Sequence, residues 1–237
     1  MVQTVRLRQD LVLAAGVAVL GFVLGPWFDG LSDTYFAWHM VQHFAIMMIA
    51  APLLLLGAPL RRLLSALPRP VARKLSGFVN HPRLDPLRFP VLAWLSMPLV
   101  LYVAHFSPLY EAALEHEPIH ALEHGAFLVA ALVWWNPVLA VAPSPHALSY
   151  PVRMFYVFVS MPIQAFLALA LYTANHALYP FYVRELGPAA ALVDQAYGAE
   201  FMWVATGFVL FLAFMGLCVA WLRDERRRTM HADRLLG

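Results

Sequence analysis

Cysteine is nearly absent from this chain of 237 residues, in which Cys218 is the only one. A single thiol can form neither an internal disulfide nor a thiolate metal cluster. Cys218 lies within an apolar run, and we interpret it as a small apolar packing residue. The composition therefore excludes an internal disulfide framework and a multi-cysteine metal site.

Charge is the second scarce property. Only 13% of the residues are charged and 62% are hydrophobic, whereas a soluble globular protein normally carries about a quarter charged residues. The apolar runs are about twenty residues long, which is the length a helix needs to cross a hydrocarbon core of roughly 30 Å. We therefore predict an integral membrane protein.

The apolar runs favour helices over a β-barrel, because barrel strands would be segments of about ten residues alternating between apolar and polar side chains. The predicted fold is an all-α, polytopic helical bundle that forms one domain over residues 1–237. The first apolar run lacks a small-x-small cleavage site, and we interpret it as a retained span and not as a signal peptide. Apolar length, charges and prolines predict six spans: 10–28, 36–60, 89–107, 118–140, 152–176 and 196–222.

Basic residues are nearly missing from one side of the predicted membrane. Arg184 is the only one there, against fifteen on the side that holds both termini and the loop 61–88. This imbalance predicts that both termini are cytoplasmic. The acidic residues lie mostly at the outer face, where they would raise the local concentration of cations. We assign the basic C-terminal segment to topology and contact with anionic lipid, not to nucleic acid.

The histidines lie mostly at the outer ends of the predicted spans. Residues four apart share one face of a helix, which places His39 with His43 and His120 with His124. Pro118 suits the first turn of span four, so His116 is expected to precede that helix. Polar side chains in a membrane usually face the bundle interior, and we expect a joint site. The outer histidines are His39, His43, His105, His116, His120, His124 and His176.

Imidazole is a suitable ligand for zinc, copper and haem iron. Methionine thioethers would favour Cu(I), although methionine in a membrane helix is commonly apolar filling. Because the neutral imidazole binds metal, loading should weaken as the pH falls below the ordinary histidine pKa of about 6.5. Glu123 is expected either to orient a ligand imidazole or to be a solvated residue near a helix start. The outer halves of the spans contain Met40, Met47, Met48 and Met202.

Three segments resemble the CtaG proteins that act in assembly of caa3-type oxidases: HMVQHFAIMMIAAPLLLLGAP, IHALEHGAFLVAALVWWNPV and DQAYGAEFMW. The resemblance implies a multi-pass protein of the bacterial cytoplasmic membrane that serves cytochrome c oxidase assembly and copper supply. Many members have seven spans where six are predicted here, and Ala199 stands where a second glycine is expected. Carried over to this chain, the family's polar positions are His39, His43, His120, His124, Asp194 and Met202.

The leading hypothesis is an oxidase assembly factor that handles copper at an outward-facing histidine site. The expected partners are oxidase subunits, membrane lipid and a periplasmic copper donor. The alternatives are a haem b protein that uses the paired histidines, a zinc site, and an assembly scaffold without metal. The chain contains no His-Glu-x-x-His, Gly-rich phosphate-loop or nucleophile motif, so no enzyme is predicted. The candidate ligands are His39, His43, His120, His124, His116, His105, Met202 and Asp194.

Overall fold

The computed structural model describes residues 2–79, 81–82, 89–140 and 148–236. Arg83, Arg88 and His146, which the sequence assigns to the cytoplasmic side, lie outside the described residues. The described part of the chain is helical and contains no β-strand. This confirms the predicted all-α fold.

The first half of the chain forms two membrane helices, one of them interrupted, and two amphipathic helices. In chain order these elements are α1 (Val2–Val23), α2 (Pro26–Thr34), α3 (Phe36–Phe44), a π-helical turn (Ala45–Ala50), α4 (Ala51–Leu56), α5 (Pro59–Ala66) and α6 (Arg69–Val79). The second half continues with α7 (Pro90–His105), α8 (Leu109–Glu115), α9 (Glu117–Leu139), α10 (Tyr150–Tyr172), α11 (Pro180–Leu186) and α12 (Pro188–Leu236).

Up to six spans are present by length and composition. Four helical stretches are long and apolar enough on their own: Phe36–Leu56, Glu117–Leu139, Tyr150–Tyr172 and Pro188–His231. Two bent pairs, α1 with α2 and α7 with α8, add one span each if each pair is counted as a unit. The prediction of a polytopic helical bundle is confirmed, with four to six candidate spans among the described residues. Its orientation in the membrane stays a prediction.

The ends of several helices differ from the predicted boundaries. Span one was expected to reach residue 28, but α1 ends at Val23 and Pro26 begins α2, because proline is favoured in a first turn, where its missing N–H costs nothing. Span six was expected over 196–222, but α12 runs from Pro188 to Leu236. Charged residues end the apolar run, but they do not interrupt the helix. The region between predicted spans five and six was expected to be a connection, but it contains α11.

The π-helical turn in the second span is explained by Pro52. The Ala51 N–H bonds to the Ile46 carbonyl, five residues back. The next bond of this type would join the Pro52 nitrogen to the Met47 carbonyl, but proline has no N–H. The indole Nε1–H of Trp135 on α9 donates to that carbonyl instead, at 2.9 Å. Helix α9 thereby satisfies the backbone group that the proline leaves free.

We predict that Trp135→Phe lowers the free energy of unfolding by about 1–3 kcal/mol beyond its packing loss, because the Met47 carbonyl would stay buried without a partner. Trp134→Phe is the matched control. Trp134 is fully buried, and its Nε1 has no hydrogen-bond partner among the described residues. Denaturation in detergent measures both variants, and equal losses of stability would contradict this explanation of the π-helical turn.

The motif at Asp194 holds α12 against α3. The Phe36 N–H, at the start of α3, donates to the Asp194 carboxylate at 2.6 Å. A carboxylate at this position favours the helix N-terminus. At Gly198, an added Cβ would lie 2.5 Å from the Phe36 ring, so only glycine allows the two helices to approach this closely. The Asp-Gln-x-x-Gly pattern therefore fixes the position of the helix that carries His39.

Candidate metal centre

Four histidines from two helices converge inside the bundle. One nitrogen of each ring lies within 4.8 Å of the corresponding nitrogen of every other ring, in a group formed by His39, His43, His120 and His124. His39 and His43 on α3 are 0% and 2% exposed, and their Nε2 atoms are 2.9 Å apart. The i, i+4 spacing on α3 and on α9 aligns each pair on one helix face. The close approach of the facing pairs comes from tertiary packing.

Tyr182 on α11 determines the tautomer of His39. Its hydroxyl donates to the Ser32 carbonyl at 2.9 Å and lies 3.2 Å from His39 Nδ1. Burial raises the pKa of Tyr182 well above its usual value of 10, so the phenol stays protonated. Its single hydrogen forms the hydrogen bond to the Ser32 carbonyl. The contact with His39 then requires that Nδ1 carries the hydrogen, which leaves a lone pair on Nε2. Metal-binding histidines are oriented in this way.

We predict that Tyr182→Phe weakens zinc binding about 10-fold, because the His39 ring loses the acceptor that fixes its orientation. Tyr179→Phe is the control, since Tyr179 belongs to the same buried aromatic cluster but its hydroxyl faces the His105 carbonyl. Competition with a chromophoric chelator measures the affinity. Equal affinities of the two variants and the parent protein would contradict the role given to Tyr182.

Glu123 faces the inside of the histidine group. Its Oε2 lies 3.9 Å from His39 Nε2 and 3.8 Å from His43 Nε2, and its side chain is 8% exposed. The sequence predicted that Glu123 would either orient the second nitrogen of a ligand imidazole or be solvated near a helix start. Its position in the structure matches neither expectation. The carboxylate lies beside the nitrogens that would bind a metal, and Tyr182 has the orienting role for His39.

A cavity leads to the group from the side of α9. Its volume is about 380 Å³, and it is lined by His120 and His124 together with the acidic residues Asp29 and Glu117. The other face of His39 is covered by aromatic rings, among them Tyr110 at 5.1 Å between centroids. The two carboxylates at the cavity would attract a cation along the open route.

The remaining candidate ligands lie outside this group. His116 is exposed and precedes α9 as its N-cap residue, as its position before Pro118 predicted. Asp194 accepts the N–H of Phe36, and His176, expected to close span five, is exposed beyond the end of α10 at Tyr172. His105 and Met202 line a separate cavity next to His43. The sequence predicted one site from residues at a common depth. The fold places these remaining residues outside the four-histidine group.

The donor set fits a metal ion. His120 Nε2, His124 Nε2 and both Glu123 oxygens are buried and have no hydrogen-bond partner among the described residues, although buried polar atoms normally have one. An ion bound tetrahedrally at 2.0–2.1 Å would separate the nitrogens by roughly 3.4 Å, so the widest pair would close by roughly 1.4 Å. A porphyrin does not fit between the rings, because His39 and His120 are in contact at 5.0 Å between centroids.

A family model described as cytochrome c oxidase caa3 assembly factor (Caa3_CtaG) matches residues 3–224. The chain belongs to this family. The match covers α1 to most of α12, and so includes every residue of the histidine group. The resemblance found in the three sequence segments is thereby confirmed.

Curated relatives come from mycobacteria. Uncharacterized proteins of Mycobacterium bovis and Mycobacterium tuberculosis are each 27% identical over 229 residues, and one of Mycobacterium leprae is 26% identical over the same length. These alignments cover 92% of this chain and 35% of each relative. The chain thus spans about a third of the length of these relatives. No solved structure matches the chain.

Proposed function

We propose that this CtaG-family chain is a multi-pass protein of the bacterial cytoplasmic membrane that handles copper during assembly of cytochrome c oxidase. The observation that carries the proposal is the convergence of four imidazoles from α3 and α9, of which three are buried and His120 is half-buried. Copper is the cargo of this site, held by His39, His43, His120 and His124. We further propose that the described helices act as one membrane domain, with oxidase subunits, lipid and a periplasmic copper donor as partners.

The charge of the site supports a metal cation as its ligand. Four neutral imidazoles satisfy the coordination of copper or zinc, and the Glu123 carboxylate would offset part of the charge. An uncompensated charge is costly inside a membrane bundle. The acidic cavity at Asp29 and Glu117 supplies a route from one face. The chain belongs to an oxidase assembly family, and we propose copper over zinc as the physiological ion because the resemblance to the CtaG proteins implies copper supply.

The function is tested in the host bacterium by complementing a deletion of the gene. The test variant is His39→Gln/His124→Gln, and the control is His116→Gln/His176→Gln, in which both histidines are exposed. We expect the test variant to reduce the copper content and activity of the purified oxidase several-fold at equal membrane levels of the chain. The control should restore both. If the test variant restores the oxidase as well, the chain acts as an assembly scaffold without metal.

A further inference from the structure

A second, smaller cavity lies next to the histidine group and is rich in thioether sulfur. Its volume is about 20 Å³, which is enough for about one water molecule or one ion. Four of the chain's ten methionines are among the ten residues that line it. The methionines are Met40, Met47, Met48 and Met202.

His105 adds a nitrogen lone pair to this cavity. Its ring is 4% exposed, and Nδ1 donates to the Leu101 carbonyl on the same helix at 2.9 Å. With the hydrogen on Nδ1, Nε2 is the acceptor. This Nε2 is buried and has no hydrogen-bond partner among the described residues. An imidazole held in this tautomer at a cavity wall offers its Nε2 lone pair to a metal ion or to a hydrogen-bond donor.

The π-helical turn contributes two of the four sulfurs. Adjacent residues of an α-helix point about 100° apart, yet Met47 and Met48 both line the cavity. Both belong to the turn Ala45–Ala50, and π-helical turns within helices occur frequently at functional sites. Pro52 accounts for the turn, and the turn allows both Met47 and Met48 to line the cavity.

The donors determine the class of ion. Thioether sulfur is a soft ligand that selects Cu(I) over zinc or magnesium. The cavity lining includes no carboxylate, so a bound ion keeps its full charge, and the cost of burial favours a monovalent ion over a divalent one. The histidine group has Glu123 beside it and suits a divalent ion better. His43 belongs to both, so the two places share a wall.

We propose that this methionine–histidine cavity is a second metal site, which binds one soft monovalent ion of the Cu(I) class between α3, α7 and α12. The identity of the bound ion as copper rests on the proposed function. The geometry of the cavity does not depend on that function. The chain would then hold two neighbouring sites of different chemistry, one nitrogen-rich and one sulfur-rich, with His43 between them.

The test uses Ag(I) as a redox-inert soft ion and Zn(II) as a probe of the histidine group, each titrated into the purified protein in detergent. We expect about two Ag(I) ions and about one Zn(II) ion per chain. Met47→Leu/Met202→Leu should lower Ag(I) to about one ion and leave Zn(II) unchanged, because Met-to-Leu exchanges nearly conserve volume. The control is Met97→Leu/Met161→Leu, since both residues pack in the bundle core and neither lines the cavity.

Methionine methyl spectra distinguish the outcomes further. Ag(I) should shift the methyl signals of Met47 and Met202 and leave that of Met97 in place. Unshifted signals, or equal Ag(I) binding by the Met47/Met202 variant and the parent protein, would overturn the second site while the histidine site stands. Shifted signals without any Zn(II) binding would support the second site and count against the histidine site.

Discussion

Replacing His39, His43, His120 and His124 together by alanine is expected to reduce bound zinc from about one ion per chain to less than about a tenth. All four candidate nitrogens lie within 4.8 Å of one another, and the described residues contain no other group of three or more possible ligands that converges in this way. Metal analysis of the purified proteins after loading with Zn(II) and removal of free ion measures this directly.

The control for this variant is His116→Ala/His176→Ala, which removes two exposed histidines and should leave zinc binding unchanged. Thermal unfolding of both proteins without metal shows whether the quadruple variant keeps its fold. Equal metal content in a folded quadruple variant and in the parent protein would end the proposal that this group is a metal site.

Glu123→Gln is expected to weaken Zn(II) binding by about 10-fold to 100-fold. The carboxylate lies 3.8–3.9 Å from the two α3 nitrogens, where its charge would stabilise a cation in surroundings that screen poorly. The loss should be larger for Zn(II) than for Ag(I) at the same site, because the divalent ion interacts twice as strongly with the lost charge.

The matched control is Glu200→Gln on α12, where the side chain is exposed. Chelator competition at two salt concentrations separates a local from a general effect of charge, since salt screens exposed charges much more than buried ones. Equal losses in the two variants, or the same loss for Zn(II) and Ag(I), would contradict the position given to Glu123.

The sequence predicted the spans well because apolar length is a direct physical requirement of a bilayer. It missed α2, α8 and α11, which are short helices at the ends of spans, and also α5 and α6, which lie in the region predicted as the loop 61–88. These segments carry too few apolar residues for a span, and their helices are stabilised by packing. The π-helical turn was also missed, although Pro52 within an apolar run is a signal that an interruption is to be expected.

The site was partly predictable for a similar reason. The i, i+4 spacing identifies which histidines share a face, and the pairs 39/43 and 120/124 do converge. Spacing gives no information on which helices touch, so Tyr182 could not be found from the sequence. The same limit led Asp194 to be predicted as a ligand, whereas its carboxylate binds the backbone at the start of α3.

His105 and Met202 show why depth alone is a weak guide. Both lie in the outer part of their spans, but they face a different cavity from the one the α9 histidines line. The azimuth of a side chain around its helix decides which neighbours it meets. His43 belongs to the histidine group and also lines the second cavity, so the two places share one side chain.

X-ray absorption at the zinc edge of the Zn(II)-loaded protein tests the histidine site most directly. The predicted first shell contains about four nitrogens at about 2.0–2.1 Å, with the outer-shell scattering that imidazole rings produce. A shell of oxygen or sulfur without imidazole scattering, or an unchanged spectrum in the quadruple alanine variant, would contradict the account.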